Sequence, residues 1–164
     1  MKRTKLVLCL LTVWISCMYT QAAELKKDNT NEWRYDIECA GSGSQGSYLV
    51  RVWSYGKKPN IPSDEMKRNA VHGVIFKGFS GDRGCTSQKP MAKSPAVMEE
   101  KADFFKAFFA NGGTCLKYAD IVGTPEIIKV GKEYKVGVVV SVSKDVLRKD
   151  LEGAGVVKGL SSGF

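Results

Sequence analysis

The chain has 164 residues, with 25 Lys and Arg against 17 Asp and Glu and a formal charge of +8. An apolar content of 43% suits one folded domain and excludes both a disordered polymer and a bundle of membrane helices. The positive charges are spread along the chain, which excludes the concentrated basic stripe of a nucleic-acid binder.

The first residues carry an address. Met1-Lys2-Arg3-Thr4-Lys5 is basic, 6–19 is an almost uncharged apolar run, and Thr20-Gln21-Ala22-Ala23 offers small residues for cleavage. That order is expected of a secretory signal peptide over 1–23. The apolar run is about 14 residues, short of the roughly 20 that cross a bilayer. Trp14-Ile15-Ser16-Cys17 also loosely follows the lipobox of bacterial lipoproteins, with Trp14 where a small aliphatic residue, usually Leu, is expected. Two mature starts are therefore open. Cleavage after Ala23 releases the protein, and acylation of Cys17 holds it on a membrane. The leader carries Lys2, Arg3 and Lys5 and no acid, so its loss leaves +5.

Residues 24–31 are polar and read as a flexible lead-in. Residues 32–164 follow as a single domain. Trp33, Tyr35, Ile37 and Cys39 alternate with Arg34, Asp36 and Glu38, the period of a half-buried strand. A glycine-rich loop, Gly41-Ser42-Gly43-Ser44-Gln45-Gly46, leads to a second strand over 48–55, so the pair reads as a hairpin. Trp33, Trp53 and Tyr55, with Tyr35, are candidates for an aromatic binding surface on that hairpin. Packing in the core and across strands competes for the same rings.

Ser63 is placed to cap a helix with Asp64 and Glu65 in its first turn, and Gly78 to end it. Residues 80–93 have no period and read as a long loop. Ser94-Pro95 opens a second helix, whose Phe104, Phe105, Phe108 and Phe109 form a stripe expected in the core, and Asn111-Gly112-Gly113 closes it. A weaker strand is expected over 114–122 and a turn at Gly123-Thr124-Pro125. Tyr134, Val136, Val138, Val140 and Val142 mark the clearest strand, with Gly137 opposite leaving room for a close neighbour. Ser143 is placed to cap a last helix ending at Gly155. The order β-β-α-α-β-β-α, joined by short turns, predicts an α+β domain: a mostly antiparallel four-stranded sheet with helices packed on one face.

Chemistry-bearing motifs are sparse. The loop at Gly41–Gly46 fits GxGxxG, but a strand follows where a dinucleotide site needs a helix, so no cofactor is expected. No GxSxG elbow occurs. Three cysteines beyond the leader and one histidine, His72, make no zinc pattern. In an oxidising compartment three cysteines allow one disulfide. Cys85 and Cys115, in loop or strand-edge positions, are the expected pair, while Cys39 reads as a small buried hydrophobe on a strand face. His72 lies near the apolar face of the first helix and reads as a hydrogen-bonded core histidine.

The segments 48–57 (YLVRVWSYGK), 69–78 (NAVHGVIFKG) and 134–164 resemble an uncharacterised family of exported proteins from Gram-negative bacteria, over nearly all of the mature chain. A looser likeness runs to small α+β domains of envelope lipoproteins and to the N-terminal part of a flagellar assembly protein. It rests on two strands followed by a helix with Met66, Ala70 and Val74 where those domains space alanines. This second likeness implies assembly or scaffolding in the envelope. The expectation is an exported, non-enzymatic protein of the periplasm, the outer membrane or the extracellular space that binds an envelope protein or polysaccharide and no nucleic acid. It meets a membrane only if Cys17 is acylated. The alternative is a secreted hydrolase with a site near His72, Cys85 and the 80–93 loop.

Overall fold

The computed structural model describes residues 33–81 and 85–159. The expected leader over 1–23, the lead-in over 24–31 and Cys17 lie outside them. Strand β1 (Tyr35–Gly41) and strand β2 (Tyr48–Gly56) form the expected antiparallel hairpin. Helix α1 (Ser63–His72) runs into a π-helical turn, Gly73–Lys77. Short helices α2 (Val97–Glu100) and α3 (Ala102–Phe108) precede a 3-10 turn, Thr114–Tyr118. Strand β3 (Ala119–Val130), strand β4 (Glu133–Val142) and helix α4 (Lys144–Gly153) complete the order. The sheet runs β1-β2-β4-β3, antiparallel throughout, with the helices packed against it. The α+β class and the element order are those the sequence predicts.

The two central strands hold the core. Val50 lies opposite Val140 and Val52 opposite Val138, and all four are buried. Each fully buried valine contributes roughly 1.5–3 kcal/mol. On the other face Trp53 lies opposite Gly137, and its ring rests where a Cβ at 137 would stand. The missing side chain in β4 thus makes room for the largest ring of β2.

Helix α1 buries Met66, Asn69, Ala70 and Val71. Asn69 Nδ2 donates to Ser54 Oγ at 2.9 Å, tying the helix to β2 through two buried polar groups. Ser63 is the first helical residue, not the cap. Pro62, at φ −57° and ψ 138°, takes that place, and its carbonyl accepts from the N–H groups of Glu65 and Met66 at 3.1 and 3.3 Å. The fixed ring torsion of proline presets the turn that a serine side chain was expected to make. Gly78, at φ 66°, ends the helical segment as expected, and a Cβ there would run into the carbonyl of Gln88.

The phenylalanine stripe is core. Phe105, Phe108 and Phe109 are buried, and Phe105 meets Phe76 at 5.1 Å between ring centroids. Ser94 Oγ accepts from the N–H of Ala96 at 3.2 Å, as a capping serine does, but the helix breaks at Lys101 into α2 and α3. Ser143 makes no side-chain cap, and its N–H donates to the carbonyl of Tyr118 at 2.8 Å.

Three expectations are corrected. First, 114–118 coils into the 3-10 turn and buries Cys115 and Tyr118, so the strand begins only at Ala119. Second, Gly123-Thr124-Pro125 is not the end of β3 but an irregularity inside it. The register shifts between Val122 and Glu126, Gly123 sits at φ 87°, and the strand goes on to Val130. An edge strand tolerates proline because its outward side needs no partner.

The third concerns the cysteines. The disulfide joins Cys39 to Cys85, with Cα atoms 6.1 Å apart, and Cys115 stays a buried thiol. Cys39 stands on edge strand β1, and Cys85, where the described chain resumes, lies beside it. Phe79 and Gln88 exchange two backbone hydrogen bonds of 2.9 Å, which returns the loop on itself. Further on, the N–H groups of Met91 and Ala92 donate to the carbonyls of Val74 and Ile75. Residues 85–92 therefore form a strap fastened to β1 at Cys39 and to the π turn at Val74 and Ile75, while Cys115 is buried in the 3-10 turn.

Two outcomes follow for stability. The disulfide spans a separation of 46 residues, so Cys39→Ser/Cys85→Ser should lower the unfolding free energy by about 2–4 kcal/mol. Dithiothreitol should reproduce that loss in the parent chain and do nothing further to the variant. A reductant effect that persists in Cys39→Ser/Cys85→Ser but vanishes in Cys115→Ser would place the bond elsewhere. Gly137→Ala should move the urea midpoint down by the equivalent of about 1–3 kcal/mol, because the Trp53 ring must shift. An unchanged midpoint would mean the ring contact is dispensable.

Candidate binding edge

Alternation along β2 sends Arg51, Trp53 and Tyr55 to the face away from the helices. The structure brings Trp53 and Tyr55 together there, but Tyr35 pairs with Ser54 and belongs to the opposite face. Trp33 precedes β1, in the other of the two compact units of the chain. Although it lies on the helix-free face, Trp53 is only 8% exposed. Its Nε1–H donates to Glu38 Oε1 at 2.9 Å, and Lys135 Nζ lies 4.9 Å from its ring centroid. Tyr55 donates to Asp36 Oδ2 at 2.6 Å, and the Arg34 guanidinium sits 5.1 Å over its ring. Arg34 in turn grips Glu133 with two bonds of 3.0 and 2.6 Å. The Tyr55 hydroxyl holds the Asp36 carboxyl below the usual carboxylate range, and Lys135, 3.3 Å away, acts in the same direction. The ring faces that a sugar would stack on are covered by the chain's own cations.

His72 is 5% exposed, packed against Phe76 and Phe109 at 5.0 and 5.6 Å between centroids. The Tyr35 hydroxyl hydrogen-bonds its Nδ1 at 2.5 Å. Burial, aided by the charge of Lys77, pushes the imidazole down to about 3, so the ring is neutral at any physiological pH. Burial pushes the Tyr35 phenol up and the Cys115 thiol up to about 11. Cys85, the other residue of a conceivable nucleophile–base pair, has its sulfur bonded to Cys39. The expected core role of His72 matches this geometry, and the His72–Cys85 constellation is not assembled. Among the described residues no group of three His, Cys, Asp or Glu side chains could hold a metal ion, and no helix is long and apolar enough to cross a membrane.

The edges of the sheet differ. At β1, Lys77 Nζ donates to the carbonyl of Tyr35 at 2.9 Å and the disulfide fastens the strap at Cys39. At β3, no described strand pairs with the outer side. This edge also carries large exposed apolar side chains: Val122 at 47%, Ile127 at 54%, Ile128 at 41% and Val130 at 53%. Beside it lies a groove of about 470 Å³, lined by Pro59, Ile61, Pro62, Met66, Ile121 and Ile127 among others. None of these β3 residues was singled out from sequence. The signal was there, because Ile127, Ile128 and Val130 are β-branched and Gly131-Lys132 is a two-residue hairpin turn leading into the valines of β4.

The neutral, buried His72 carries a pH dependence whose sign is fixed. Its folded pKa lies below the unfolded value of about 6.5. The stability it confers is therefore full above about pH 6.5 and falls as the unfolded chain takes up a proton, until the folded group titrates as well. The imidazole proton resonances should stay constant from about pH 8 to 4.5, and a titration near 6.5 would contradict the burial. No family model, curated protein or solved structure matches the chain.

Proposed function

We propose that this chain is an exported, non-enzymatic envelope protein whose domain binds or scaffolds another envelope protein along the outer edge of β3. The observation that carries the reading is that edge: backbone that no described strand pairs, beside Ile127, Ile128 and Val130, each more than two-fifths exposed. An extended segment of a partner supplies what the edge lacks, hydrogen bonds along the backbone and cover for the apolar side chains. A polysaccharide is a poorer fit, because Trp53 and Tyr55 already stack with Lys135 and Arg34. The Cys39–Cys85 disulfide supports an oxidising compartment, in keeping with the secretory pattern of the leader.

Photo-crosslinking residues introduced at Ile127 and Ile128, and at Val139 on the helix-free face as control, test the assignment in cells. The expected outcome is one discrete adduct with an envelope protein from the β3 positions and none from 139. Ile127→Lys/Val130→Lys should abolish that adduct while changing the unfolding free energy by no more than about 0.5 kcal/mol, as is usual for exposed sites. Equal adducts from all three positions, or survival of the adduct in the lysine variant, would remove β3 from the function.

A further inference from the structure

Lysines gather at the hairpin end of this edge. The register sets Gly56, Tyr134 and Lys129 in line across β2, β4 and β3. Lys57 and Lys58 follow Gly56 directly, and Lys132 lies in the β3–β4 turn, so four ammonium groups share one end of the sheet. All four are exposed, and none has an ion-pair partner among the described residues. The acids nearby are already matched. Glu126 pairs with Arg51 at 3.3 Å, Glu133 with Arg34 at 2.6 Å and Asp36 with Lys135 at 3.3 Å. Lys57 and Lys58 also head the turn whose Pro59, Asn60, Ile61 and Pro62 line the apolar groove.

The irregularity at 123–125 divides β3 into two regular runs, Ala119–Val122 and Glu126–Val130, and the lysines lie at the end of the second, five-residue run. Beside this short apolar stretch stand four positive charges without an ion pair among the described residues, although Lys57 lies near enough to Glu133 to help lower its pKa. Resting on β3 as the docking edge, we infer that its occupant is an extended, acidic segment of another protein: alternating apolar residues flanked by Asp or Glu at the end that meets Lys57, Lys58, Lys129 and Lys132. A second copy of the chain is a poorer occupant, since its own 126–130 run adds Lys129 and has as acid only Glu126, which already pairs with Arg51.

The test uses the chain purified after expression with its own leader and three synthetic ten-residue peptides. All share one alternating Val/Thr centre, flanked by Asp and Glu, by Ser, or by Lys. The acidic peptide should bind about tenfold tighter than the serine peptide in low salt, with the difference shrinking in high salt. Amide shifts should centre on 126–130. Lys57→Gln/Lys58→Gln/Lys132→Gln should erase the preference and leave the serine peptide's affinity unchanged. Equal binding of acidic and serine peptides, with shifts on β3, would overturn the acidic partner and leave the edge intact. Absence of β3 shifts with every peptide would overturn both. Lysine-dependent binding to phosphatidylglycerol vesicles without peptide binding, or sedimentation as a β3-paired dimer, would also overturn the inference.

Discussion

The contact between Trp53 and Gly137 decides how the helix-free face of the sheet is finished. Because β4 has no side chain at 137, the ring sinks onto the backbone instead of standing out from it. Charged side chains then close over it: Lys135 and Arg51 lie within 4.9 and 5.6 Å of the ring, and Glu38 takes its N–H. The layer continues outward through Asp36, Tyr55, Arg34 and Glu133, each bonded to the next or to a neighbour. A sheet with helices on one side has a second face to satisfy, and this chain does so with paired charges laid over aromatic rings. Exposed ion pairs add little stability singly. Their effect here is to keep Trp53 dry and to leave the face without an unfilled demand for a partner.

With both faces satisfied, the unmet bonding capacity of the sheet lies at its rims, and the chain treats these unequally. The β1 rim is held by covalent and charged contacts, the Cys39–Cys85 bond and the Lys77 ammonium on the Tyr35 carbonyl. Among the described residues the β3 rim has no disulfide, and its ion pairs, Glu126 with Arg51 and Asp120 with Lys67, run inward to β2 and α1. It has instead the break at Gly123-Thr124-Pro125, a feature that proteins place on edges to stop indiscriminate pairing. The combination is selective. A long strand cannot zip along all of β3, yet the five residues 126–130, three of them β-branched, pair with no described strand on their outer side and stay open to a short one.

Much of this was legible in the sequence, and the failures share a cause. The alternation of Val136 to Val142, the phenylalanine stripe and the vacancy at Gly137 were readable because each is a local pattern with one physical meaning. Cys39 was misassigned because its place on an apolar strand face says nothing of what lies across that strand's edge. Only the strap over 85–92, set by the Phe79–Gln88 pairing and the π-turn carbonyls, places Cys85 there. The stretch 126–130 was passed over because Gly-Thr-Pro before it has the composition of a turn. Composition cannot separate a turn that ends a strand from a bulge inside one. That distinction depends on whether β4 continues alongside, which is a tertiary fact. The proposed docking edge was thus hidden by the same residues that now interrupt it.

The lysine cluster bears on why such an edge is tolerable at all. An exposed strand with two isoleucines is an aggregation hazard, and charge placed beside it is one means of control. Lys129 lies within the five residues and Lys132 just beyond them, so any approaching strand meets positive charge before it completes a ladder. Copies of this chain bring the same sign and repel, while an acidic segment has that barrier turned into attraction. On the proposed reading, one set of side chains serves both ends: it disfavours pairing among like molecules and favours a partner of opposite charge. Selectivity of this kind requires no deep pocket. It requires that β3 be held rigidly against β4, which the buried valine ladder provides, and that the other rim be closed, which the disulfide provides.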